Sequence, residues 1–60
     1  GIHHLALQVS NLKDTIKFLL DHKVELIDKT PRRGAGSCLI SFVHPRSTGG
    51  ILVEFVEKQT

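Results

Sequence analysis

Tryptophan, tyrosine and methionine are missing from this 60-residue chain, and its only aromatic residues are Phe18, Phe42 and Phe55. So few rings leave no base-stacking platform, and with a net charge of only +2 no nucleic-acid partner is expected. Cys38 is the sole cysteine, so no internal disulfide can form. A lone thiol fits a reducing compartment, the cytoplasm or a mitochondrial matrix. No apolar run reaches the roughly 18 residues a membrane helix needs, and no membrane partner is expected. Sixty residues make one small domain at most. At that size a chain buries only roughly 60% of its unfolded surface, so stability is marginal. The sequence opens at Gly1 directly in an apolar strand, and no targeting segment is expected within it. That predicts a soluble piece of something larger, or a half-unit that completes itself by pairing.

What is present reads as alternating short elements. Residues 2–9 have the period of a strand, with Leu5, Leu7 and Val9 on one face and His4, Ala6 and Gln8 on the other. Asn11 can cap a following helix, and Asp14 suits its first turn. Leu12, Ile16, Leu19 and Leu20 form one apolar stripe, Asp14 and Lys17 can pair, and His22-Lys23 closes the helix with positive charge. Val24-Glu25-Leu26-Ile27 is the second predicted strand, and residues 30–37 are a loop punctuated by Pro31, Gly34 and Gly36. Residues 38–43 form a third strand that stops at His44-Pro45. A turn through Gly49-Gly50 leads to a fourth over 51–56, followed by a polar tail. The fold class is α+β, a single β-α-β-β-β module with a mixed, curved sheet and one covering helix. One helix covers only one face. The other, carrying His4, Gln8 and Glu54, must line a cleft or meet a partner module, and the open sheet edges point the same way.

His4 and Glu54 carry the chemistry. A carboxylate within the apolar run Ile51-Leu52-Val53-Glu54-Phe55-Val56 needs a counter-charge or a cation. An imidazole and a carboxylate on one sheet face suit a divalent Co, Mn, Ni or Zn ion. A satisfied strand histidine and a Glu54–arginine pair are the structural alternatives. His3, next to His4, points to the opposite face and reads as a hydrogen-bonded rim residue. Gln8 is a cleft or solvated residue, and His22 is structural. His44 and Arg46, at the sheet rim, either meet a ligand or form the turn. Arg32-Arg33 is either a solvated loop or a recognition element for an anionic phosphate or carboxylate. Gly34-Ala35-Gly36 lacks the lysine and helix of a phosphate loop. Cys38 reads as a small strand hydrophobe.

The β-α-β-β-β order, with a histidine in the first strand and a glutamate in the last, resembles the vicinal oxygen chelate superfamily of glyoxalases and dioxygenases. Three stretches resemble more closely the C-terminal module of methylmalonyl-CoA epimerases. They are Gly1-Ile2-His3-His4-Leu5-Ala6, Pro31-Arg32-Arg33-Gly34-Ala35-Gly36, and Phe42 through the His44-Pro45-Arg46-Ser47-Thr48-Gly49-Gly50 segment to Glu54. The resemblance implies a two-module domain, 1–60 being its C-terminal half, with His4 and Glu54 as metal ligands and the rest supplied by an N-terminal module or a second copy. It implies a homodimer, an acyl-CoA substrate, and epimerisation at the α-carbon of methylmalonyl-CoA through an enolate. Glu54 is then also a candidate acid–base group, with His44, Arg46 and Gln8 as candidate substrate contacts. Arg46 stands where these epimerases often have lysine, which keeps the charge but changes the geometry. Two alternatives share the fold: a glyoxalase I-like lactoylglutathione lyase, and a metal-free ligand-binding module of the resistance type. A fragment inactive by itself is compatible with all three.

Overall fold

A computed structural model describes residues 4–59 of the chain. Gly1, Ile2, His3 and Thr60 lie outside the described residues, and with them the expected start of the first strand. Strand β1 (His4–Gln8) leads to helix α1 (Leu12–Asp21), followed by β2 (Arg32–Arg33), β3 (Cys38–Val43), a 3-10 turn (Pro45–Ser47) and β4 (Leu52–Lys58). The sheet is mixed, in the order β1-β4-β3-β2. β1 runs parallel to β4, while β3 is antiparallel to both β4 and β2. First and last strands are therefore neighbours.

The helix starts where its cap dictates. The Asn11 side chain accepts a hydrogen bond from the Asp14 amide at 3.0 Å. The Leu12 amide, another of the free donors of the first turn, donates to Glu57 Oε1 at 2.6 Å. That carboxylate on β4 also suits the positive end of the helix. At the other end Val24 N–H bonds Leu19 C=O and Lys23 N–H bonds Leu20 C=O, a Schellman arrangement. Lys23 takes φ of 61° to make it, so the helix ends at Asp21 and Lys23 lies outside it. The expected Asp14–Lys17 pair does not occur among the ion pairs of the described residues.

The apolar stripe packs as expected except at its last position. Leu12 and Ile16 are buried with Leu26 and Val43, and Val9, Leu19, Val24, Leu39, Val53 and Phe55 pack around them. Leu20 remains 39% exposed, because the stripe leans toward Leu12, Ile16 and Leu19 rather than toward Leu20. Burial of four core side chains is a small apolar driving force. The molecule measures 32 × 29 × 15 Å, and 15 Å is the thickness of one helix on one sheet.

The second strand is where expectation and structure part. Val24 to Ile27 forms no ladder, only the bridge of Leu26 with Val43, and the regular edge strand is Arg32–Arg33, inside the expected loop. Asp28 is the cause. Its carboxylate accepts the Phe42 amide at 3.0 Å and its carbonyl accepts the buried Ser41 hydroxyl at 2.7 Å. The chain thus leaves the β3 edge at Asp28 and rejoins it after Pro31, which has no amide for a ladder. At the other side of the sheet, β4 extends to Lys58, two residues past the expected end, because Cys38 pairs with Lys58 and Leu39 with Glu57.

Candidate functional site

Register decides which side chains share a face. His4 pairs with Leu52, Ala6 with Glu54 and Gln8 with Val56, while Phe42 pairs with Glu54 and Ile40 with Val56. Opposed residues point the same way. The face away from the helix therefore carries His4, Gln8, Ile40, Phe42, Glu54 and Val56. Leu5, Leu7, Val43, Val53 and Phe55 share the helix side.

On the open face His4 and Glu54, fifty positions apart in the chain, meet: His4 Nε2 lies 3.0 Å from Glu54 Oε1. The glutamate is the better held of the two, its side chain 17% exposed against 51% for the histidine. It sits on β4 between neighbouring strands, whereas β1 lies at the sheet edge. Glu54 is thus partnered by an imidazole, and the arginine alternative is not what the structure shows.

The same two atoms suit a shared divalent ion. An imidazole nitrogen and a carboxylate oxygen are donor types that divalent Zn, Co, Mn and Ni accept, and here they stand 3.0 Å apart, at hydrogen-bond distance. Among the described residues no cluster of three or more His, Cys, Asp or Glu forms. The described residues thus bring one nitrogen donor and one oxygen donor together, with no third donor among them.

Phe42 borders this pair. Its ring centroid is 6.2 Å from that of His4, with the planes tilted by 35°. On Phe42 also rests Arg32, its guanidinium carbon 5.1 Å from the ring centroid. Arg32 Nε stands 3.4 Å from Asp28 Oδ1, whose second oxygen is held by the Phe42 amide. Sequence reading left Arg32 open between loop and ligand contact, and it missed Phe42 and Asp28. The usable signal was the alternation Cys38, Ile40, Phe42, which puts an aromatic ring on the face of Glu54.

The remaining candidates are distributed otherwise. Gln8 lies on the open face, exposed, opposite Val56. His44 follows β3, and its Nδ1 accepts the Arg46 amide at 3.0 Å, capping the 3-10 turn. The Arg46 side chain turns to Glu25, with Nη1 3.2 Å from Oε1. Ser47 Oγ accepts the Glu25 amide at 2.9 Å, so this turn is tied to the segment after the helix. His22 Nδ1 is 2.8 Å from the Phe18 carbonyl and its ring stacks on Phe18, a structural role. Cys38 is half-buried on its strand.

No family model matches the chain. It is 45% identical over 58 residues to the mitochondrial methylmalonyl-CoA epimerase of Dictyostelium discoideum, covering 97% of this chain and 35% of that protein. The crystal structure of methylmalonyl-CoA epimerase from Mycobacterium tuberculosis superposes with a TM-score of 0.87 at 38% identity, over 92% of this chain and 37% of that one. A Streptomyces coelicolor methylmalonyl-CoA epimerase variant in complex with 2-nitronate-propionyl-CoA gives a TM-score of 0.90 at 29% identity, over 97% of this chain and 40% of that one. The chain thus spans well under half the length of the proteins it matches.

Proposed function

We propose, for a chain that corresponds to the C-terminal part of the methylmalonyl-CoA epimerases of the vicinal oxygen chelate superfamily, that it forms one half of an epimerase site for methylmalonyl-CoA. The observation that carries this reading is the meeting of His4 Nε2 and Glu54 Oε1 at 3.0 Å on the sheet face without a helix. His4 and Glu54 would hold a divalent Co, Mn, Ni or Zn ion together with ligands from an N-terminal module or a second copy. Such an ion supplies Lewis acidity that makes the α-proton of a thioester easier to remove.

The rest is the work of this chain's own atoms. With Oε1 turned to His4, Glu54 retains Oε2 to take or return the α-proton. Phe42 and Ile40 place apolar side chains beside the pair on this face. Gln8 is a polar group on the same face that can orient the acyl part. His44 and Arg46 stand in the turn after β3 as the candidate contacts for the CoA chain, and Arg46 must leave Glu25 to make one. The complementing module also accounts for the sheet edge at β1, where Leu5 and Leu7 stay 43% and 41% exposed.

Deuterium incorporation at the α-carbon of methylmalonyl-CoA tests this in the complete protein, alongside its metal content. Exchange that vanishes in His4→Ala and Glu54→Ala supports the reading. Wild-type protein with neither bound metal nor exchange sinks it. Exchange untouched by both substitutions sinks the ligand assignment.

A further inference from the structure

We infer that Arg32 is a recognition residue for an anionic oxygen group of the ligand on the open face, a carboxylate or a phosphate, and that Asp28 positions it. The inference deepens the reading of this face as an acyl-CoA site and rests on it.

Register separates the two adjacent arginines. Arg32 pairs with Ile40 and Arg33 with Leu39, so Arg32 faces the side of His4 and Glu54 while Arg33 faces the helix side. Arg32 is held at two points. Phe42 lies under its guanidinium at 5.1 Å, and Asp28 Oδ1 approaches Nε at 3.4 Å. Asp28 is itself fixed, 13% exposed, with Oδ2 on the Phe42 amide at 3.0 Å. These contacts engage the Nε side and the plane of the group. Among the described residues, none of the hydrogen bonds or ion pairs involves its two Nη groups.

A guanidinium oriented by a ring and a carboxylate has lost part of its rotational freedom before any ligand arrives, so less entropy is lost on binding. Its two Nη groups present the fork that matches two oxygens of one carboxylate or phosphate. Arg46, by contrast, spends Nη1 on Glu25. His4 and Arg32 both approach the Phe42 ring, so a ligand beside that ring has the His4–Glu54 pair as one neighbour and the arginine as another.

The test titrates the complete protein with methylmalonyl-CoA, with malonate and with coenzyme A, in wild type and in Arg32→Met, Arg32→Lys and Asp28→Asn. Arg32→Met is expected to weaken methylmalonyl-CoA binding by about tenfold to a hundredfold, as loss of a charged hydrogen bond does. Arg32→Lys recovers part of that, and Asp28→Asn gives an intermediate loss with Arg32 still present. The salt dependence of wild-type binding should be shallower in Arg32→Met, which a purely structural role would leave unchanged. A loss seen with malonate assigns the group to a carboxylate; a loss seen with coenzyme A assigns it to a phosphate. Arg32→Met binding all three ligands as wild type does, with the same salt dependence, overturns the inference, as does a wild type that binds none. A wild type that binds methylmalonyl-CoA without α-proton exchange overturns the epimerase reading and leaves the Arg32 comparison decisive by itself.

Discussion

The two faces of this sheet are made from the same four strands, yet they obey different rules. Toward the helix, Val43 is buried and Val53 and Phe55 pack against Leu12 and Ile16. Away from it, the same strands present Glu54, Phe42 and Ile40, and β1 adds His4. The buried polar group on the helix side, the Ser41 hydroxyl, is answered within the chain by the Asp28 carbonyl. On the open face the polar groups are answered only in part: Glu54 by a half-exposed imidazole, Arg32 by one edge of a carboxylate. The covered face contains what stability requires, and the open face contains groups kept for something the chain does not itself provide.

That contrast can be broken by substitution, and the core gives the largest effect. Ile16→Ala should destabilise the fold by about 2–5 kcal/mol, read as a lower denaturant midpoint. With so small a core, an unaltered midpoint would mean that the helix contributes little to this face. Next comes Gly34, where an added Cβ would stand 2.8 Å from Ile40 Cγ2. Gly34→Ala should cost about 1–3 kcal/mol by overpacking, because a β-branched side chain in a strand cannot swing aside freely. A thermal melt equal to wild type would show that β2 shifts at no cost.

Two smaller effects sharpen the comparison. Lys23→Gly should raise stability by about 1 kcal/mol, since the residue after the helix holds φ of 61°. A fall in melting temperature would show that the lysine side chain does more than occupy the cap. His4→Ala should change stability by less than about 1 kcal/mol, as exposed pairs contribute little. In the complete protein it should nevertheless abolish α-proton exchange. Were the stability loss instead as large as that of Ile16→Ala, the pair would belong to the scaffold.

Much of this was legible beforehand, residue by residue. Alternation placed Leu5 and His4 on opposite faces, Asn11 announced the helix start, and the isolated carboxylate in an apolar run singled out Glu54. The edge strand was not legible, because Val24 to Ile27 has strand composition whereas pairing there was limited by Asp28. A side chain that bonds the Phe42 amide competes with the backbone for the ladder, and nothing in local propensity reveals that competition. Arg46 had the right charge at the rim, but its ion pair with Glu25 depends on the path of the segment after the helix.

By itself, then, the sequence determined the local periods, the helix N-cap, the odd carboxylate and the kinship, since each depends on residues close in the chain or on motif identity. Tertiary structure decided contacts across long separations: that β1 lies parallel beside β4, bringing His4 to 3.0 Å from Glu54, and that Arg32 rather than Arg46 shares their face. Strand order and register set those distances, and register is fixed by burying one face of the sheet under a helix.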